Sequence, residues 1–164
     1  MSLRSVRQTG DEILRKKSKE VKDLTPRLKD LIVDMKETMK NHGGCGLAAV
    51  QVGVLKNIIV CAPNEEEEPI VLINPEILER SETMVEDSEG CLSVEGYRGK
   101  VLRPKSIVVK AKDEKMNDIE FDAEDFLARI ICHEVDHLNG VLYTDKVVDG
   151  TLEEIKDDDA GEKE

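Results

Sequence analysis

Tryptophan is absent from this 164-residue chain, and phenylalanine and tyrosine supply only two residues each. A core must therefore be assembled from Val, Ile, Leu and Met, which a chain of this length can do without disulfides. None of the four cysteines (Cys45, Cys61, Cys91, Cys132) forms a C-x-x-C pair, and their wide spacing excludes the dense framework of a small secreted domain. No run approaches the roughly eighteen apolar residues of a membrane span, and the N-terminus lacks a signal-peptide pattern, so a cytoplasmic location is expected. Positive charge is in deficit, with 24 Lys and Arg against 36 Asp and Glu, a net charge of −12. That balance argues against nonspecific binding to nucleic acid or to anionic membranes. Part of it is local, in residues 65–68 and 153–164. We expect one domain over residues 1–150 and an acidic, flexible tail over 151–164.

What is present reads as helix, strands, helix. Thr25-Pro26 opens a helix with proline at its first position, Leu28, Leu31, Ile32, Met35 and Met39 form its apolar stripe, and Gly43-Gly44 ends it. Strand character follows over residues 57–62, 70–73, 106–112 and 119–121, bounded by Asn64, Pro69, Asn74-Pro75, Pro104 and Asp113. A second helix is predicted from an N-cap at Asp122, with Asp125 three residues on as in a capping box. Phe126, Ile130, His133 and His137 recur along it at helical spacing, and Asn139-Gly140 stops it. The order fits an α+β domain, with mainly antiparallel sheets packed around a central C-terminal helix.

That second helix carries His133-Glu134-Val135-Asp136-His137, which with His42 holds every histidine of the chain. On a helix the two imidazoles share one face, about 6 Å apart along the axis, close enough to grip one metal ion. Glu134 lies one residue round, within reach of a water at that ion without becoming a ligand, as in a metal-dependent hydrolytic site. A buried, hydrogen-bonded histidine pair fits the same pattern. Hydrolytic zinc and iron sites usually take three protein ligands and keep one position for water. Cys91, in Glu89-Gly90-Cys91-Leu92-Ser93, offers a third ligand as a thiolate; as a buried thiol it would simply pack, as Cys61 and Cys132 are expected to. In Gly44-Cys45-Gly46-Leu47-Ala48-Ala49-Val50-Gln51 the glycines admit close approach of a ligand, and the Gln51 carboxamide can donate to a developing oxyanion. A glycine-rich turn after a helix is also commonplace without any ligand.

Together, G-x-G-Φ-A-A-x-Q, E-G-C-Φ-S and H-E-Φ-D-H (Φ apolar) occur in the order and at the separations of one family, and the chain closely resembles a bacterial-type peptide deformylase. Thr9-Gly10-Asp11 followed by Ile13-Leu14-Arg15 resembles that family's opening segment, so the likeness runs to about Asp145. The resemblance implies that Cys91, His133 and His137 hold one divalent metal ion, Fe²⁺ physiologically, with Zn²⁺, Ni²⁺ or Co²⁺ possible in preparations. It implies Glu134 as general base and acid, and Gln51 with the Leu92 backbone N–H as oxyanion donors. The substrate would be the N-formyl-methionine end of a newly made protein, and the products formate and a free amine. Ile130 and Phe126, one and two turns before His133, are candidates for the wall of the methionine pocket. Arg98 would sit at its mouth, where similar enzymes hold the peptide as an added strand beside the 43–46 segment, through Gly44 and Gly46. Asp136, also in the family pattern, is expected to pair with Arg103 and anchor the helix.

Val50, Glu95 and Cys132 stand where relatives commonly have Pro, Pro and Gln, which touches packing rather than chemistry. The acidic end also differs from the basic C-terminal helix by which some members dock on the ribosome, so attachment by that route is not expected. Two rival readings remain at this point: an H-E-x-x-H zinc peptidase using Glu153 or Glu154 as third ligand, and a non-catalytic metal-binding module. The first leaves Cys91 and Gln51 idle; the second gives Glu134 no work.

Overall fold

The strand Ile58–Cys61 is buried at all four positions because the sheet it belongs to has a helix on each face. In the computed structural model, which describes residues 2–155, the helices are α1 (Pro26–Asn41) and α2 (Asp125–Leu138). The strands are β1 (Gly46–Ala48), β2 (Ile58–Cys61), β3 (Ile70–Arg80), β4 (Met84–Cys91), β5 (Val94–Pro104), β6 (Ser106–Lys112), β7 (Asp118–Glu124) and β8 (Glu153–Glu154). One antiparallel sheet has the order β1-β2-β3-β6-β7, and a second has the order β4-β5-β8. The α+β architecture expected from the sequence is the one found.

Strand alternation sends successive residues to opposite helices. Ile58, Val60, Val71 and Ile73 join Leu31, Ile32, Met35 and Met39 of α1 in one cluster. Ile59, Cys61, Leu72 and Val109 join Ala128, Ile131 and Cys132 of α2 in the other. Each Val, Leu, Ile or Met among them stabilises the fold by about 1.5–3 kcal/mol relative to exposure, which replaces the missing aromatic core. The four cysteines are free, and Cys61 and Cys132 are buried as expected. Thr25 caps α1, accepting from Leu28 N–H at 3.2 Å.

Three local expectations are corrected. Asp122 is not an N-cap: it pairs with Val108 inside β7, which runs on to Glu124, and α2 starts at Asp125 with no side-chain cap bond. The β6 ladder outcompetes the local capping signal. Asn74-Pro75 does not end β3. Asn74 takes φ 53°, a conformation asparagine tolerates, and its side chain pairs with both the N–H and the carbonyl of Val21 at 2.8 Å. The strand continues past it after a register shift. Finally, β4 and β5 went unread, because their side chains are largely charged and Gly-rich rather than alternating.

Of the segment read as a tail, residues 151–155 lie on the domain, with Glu153 and Glu154 paired to Arg98 and Tyr97 of β5. Residues 156–164 lie outside those described.

Candidate active site

Three separate segments converge beside α2. His133 and His137 lie one turn apart on its buried face, with ring centroids 5.1 Å apart. Cys91 is delivered from the opposite side, at the end of a hairpin whose strands β4 and β5 meet through the turn Leu92-Ser93. The ligand atoms of Cys91, His133 and His137 all lie within 4.8 Å of one another, and Cys91 Sγ is 3.3 Å from His137 Nε2. The N-terminal segment ties the hairpin turn to the Gln51 loop. Arg7 N–H donates to the Gln51 carbonyl, Thr9 N–H to Ser93, and Gln8 Nε2 to the Leu92 carbonyl at 2.9 Å.

Glu89 orients one of these ligands. Its carboxylate accepts from His133 Nδ1 at 2.8 Å, which turns Nε2 of that ring toward Cys91 and His137. The same carboxylate accepts from Arg103 Nε and Nη2 at 2.9 and 3.0 Å and from Arg129 Nη1 at 2.6 Å. Burial opposes its charge, yet the His133 and Arg103 donors prevail and hold the carboxyl well below the usual range. Arg103 also donates to Asp136 at 2.6 Å, so the expected pairing is present.

The donor set fits a divalent ion. Burial, helped by the nearby charge of His133, drives His137 well below its ordinary pKa, leaving the neutral imidazole that a metal requires. Burial works the same way on His133, but Cys91 and Glu89 reverse it and pull the pKa well up. A thiol and a carboxylate flanking one ring thus favour a cation at its second nitrogen, whether proton or metal ion. Two imidazoles and a thiolate suit zinc or iron.

Glu134 is buried, and its Oε1 has no hydrogen-bond partner among the described residues. Burial is the main cause of a pKa raised to about 7, with His133 working against it. Its Oε2 packs on Gly46, where an added methyl would come within 2.5 Å of it. A methyl on Gly44 would come within 2.8 Å of Leu92. The two glycines therefore seat protein side chains as well as lining the cleft. Gln51 is fixed by its Oε1, which accepts Ala48 N–H at 2.9 Å; its Nε2 donates to Ser93 Oγ at 2.9 Å and, at a longer 3.6 Å, to Cys91 Sγ.

A cavity of about 550 Å³ opens onto these groups. Gly44, Gly46, Arg98, Phe126 and Ile130 line it, as do Gln51, Cys91, Leu92, His133 and Glu134, while His137 is fully buried behind. Glu153 and Glu154 are exposed on β8 and belong to no metal-ligating cluster among the described residues. The zinc-peptidase reading thereby loses its third ligand. Sequence reasoning missed the roles of Glu89, Arg129 and Ser93, and the place of Ile155 in the cavity lining. Glu89 was visible as the first letter of E-G-C-Φ-S; Ile155 carried no signal.

The family model for polypeptide deformylase matches residues 3–152. The chain belongs to the peptide deformylase family. Peptide deformylase 1 of Clostridium acetobutylicum is 54% identical over 149 residues, covering 91% of this chain and 97% of the relative. A peptide deformylase of Lachnoclostridium phytofermentans is 47% identical across the full length of both chains. Among solved structures, the peptide deformylase of Thermotoga maritima superposes with a TM-score of 0.86 at 38% identity, covering 89% of this chain and 98% of that one. That of Ehrlichia chaffeensis in complex with actinonin gives 0.87 at 39% identity, covering 91% of both. The reading of the chain as a metal-dependent deformylase is borne out, and the two rivals are not favoured. No helix among the described residues is long and apolar enough to cross a membrane.

Proposed function

We propose that this peptide deformylase removes the formyl group from the N-terminal formyl-methionine of newly made peptides, with Cys91, His133 and His137 as metal ligands and Glu134 as the proton-transfer group. The observation that carries this is the convergence of three ligand atoms within 4.8 Å beside a buried carboxyl lining the same cavity. A divalent ion held there would supply Lewis acidity toward water and the formyl carbonyl. Glu134, with a pKa raised toward neutrality, takes a proton from the attacking water and returns it to the departing amine nitrogen. Gln51 Nε2 and the Leu92 N–H donate to the formyl oxygen as negative charge grows on it. The longer of the two Gln51 contacts marks the N–H available for that task.

Ile130 and Phe126 receive the methionine side chain, and the peptide main chain runs past Gly44 and Gly46 toward Arg98. A formyl group is the smallest acyl group, so a cleft this closely packed around Glu134 rejects acetyl by size. Fe²⁺ is the physiological ion in this reading, with Zn²⁺, Ni²⁺ or Co²⁺ able to replace it, and a thiolate beside ferrous iron makes the site sensitive to oxidation. The reaction takes place in the cytoplasm on nascent chains.

Formate release from formyl-Met-Ala-Ser by anaerobically prepared protein, with metal analysis, tests the reading. Glu134→Ala is expected to stay folded and metal-loaded while kcat falls about 10²- to 10⁴-fold. Cys91→Ala is expected to lose the metal. Unchanged turnover in the Glu134 variant overturns the mechanism.

A further inference from the structure

A segment that no motif marks reaches the cavity through Ile155. After α2 the chain returns along the outer edge of β5. Val147 bridges Val101, Val148 N–H donates to the Lys100 carbonyl at 2.7 Å, and Lys100 N–H donates to Thr151 Oγ1 at 3.0 Å. Glu153 and Glu154 then pair with Arg98 and Tyr97, and Ile155 N–H donates to the Gly96 carbonyl at 2.7 Å. Gly99 is the seat for this strap: a methyl there would overlap the Val147 side chain and crowd the Leu152 backbone. The strap ends on the cavity itself, where Ile155 joins Gly96, Tyr97 and Arg98 in the lining. The family model stops at residue 152, so the part that reaches the cavity lies past the segment it matches.

We infer that Ile155, held in place by this strap, is a specificity-determining group of the substrate cleft that receives an apolar side chain of the peptide beyond its methionine. The inference rests on the deformylase reading above. Ile155 is a half-buried aliphatic group in a part of the lining that also holds Glu95, Tyr97 and Arg98. A peptide whose main chain runs along the 43–46 segment shares its cavity with Gly96, Arg98 and Ile155. In an extended peptide, side chains alternate in direction, so one of the two residues after methionine projects toward this part of the lining.

Steady-state kinetics of Ile155→Ala and Ile155→Asp would be compared with wild type on four substrates: formyl-Met amide, formyl-Met-Ala-Ser, formyl-Met-Leu-Ser and formyl-Met-Ala-Leu. For at least one leucine peptide, KM is expected to rise about three- to tenfold, more for Asp than for Ala, with kcat unchanged. Formyl-Met amide, too short to reach the strap, should behave alike in all three proteins. A merely structural role would lower kcat or shift all four substrates together. Identical KM values throughout, or a rise shared by formyl-Met amide, overturn the role of the strap and leave the deformylase reading standing. Absence of formate from every substrate with metal-loaded wild type overturns the deformylase reading, and the strap falls with it.

Discussion

Toward the central sheet, Ala128, Ile131 and Cys132 of α2 pack against Ile59, Leu72 and Val109; toward β4 and β5, Arg129 and His133 of the same helix meet Glu89 and Arg103. The first side gains stability from apolar area removed from water. The second is dry and charged, and taking those charges out of water offsets much of what their pairing returns. A well-packed apolar replacement would hold the helix at least as firmly. What the charged side adds is direction: Glu89 sets which nitrogen of His133 faces Cys91, and Arg103 ties that carboxylate to Asp136 on the helix. One side of α2 holds the helix in place, and the other aims its histidines.

The sharpest way to break this contrast is Glu89→Ala. It leaves Arg103 and Arg129 buried without their shared acceptor, and about 3–5 kcal/mol of stability should be lost in denaturant titrations. Metal content should fall with it, because His133 loses the partner that orients it. Ile131→Ala removes a fully buried side chain on the other side and should cost about 2–4 kcal/mol. Below its lowered melting temperature that variant should retain metal and wild-type kcat. Equal loss of metal in both variants would erase the division between the two sides. Asp136→Ala, which removes an anchor rather than the central acceptor, should cost about 1–2 kcal/mol.

Asp34 provides the smallest effect and a contrast far from the site. It accepts from Ser2 N–H at 2.8 Å and from Arg4 Nε at 2.9 Å, and these bonds hold its carboxyl below the usual range. A depressed folded pKa contributes stability above the unfolded value, near 3.9, and loses it as pH falls through the folded value. Asp34→Asn should therefore be about 1 kcal/mol less stable than wild type near neutrality. That difference should shrink below about pH 4. A gap that persists undiminished at pH 2 would mean that packing, not charge, holds the N-terminal segment.

Much of the site was legible in the chain because its chemistry is local. His133, Glu134 and His137 are placed relative to one another by helical spacing alone, and Thr25-Pro26 and Asn139-Gly140 announce helix boundaries by their own backbone preferences. Cys91 and Gln51 were legible through the motifs surrounding them. The β4–β5 hairpin was not, since Glu86, Asp87, Glu89, Arg98, Lys100 and Arg103 look like a solvated stretch until Arg129 and His133 arrive at Glu89 from 40 and 44 residues away. Asp122 misled for the same reason: a capping signal is weak beside a full strand ladder with β6.

By itself, the order of residues determined two helices, their buried faces, the kind of ligand atoms available and the carboxyl beside them, because each follows from spacing within a few turns or from a side chain's own chemistry. Only the tertiary structure decided that the Cys91 thiol meets both imidazoles, that Glu89 serves His133 and two arginines at once, and that Ile155 reaches the cleft. Those are contacts between segments far apart along the chain, and local preference carries no information about which distant partner will complete them.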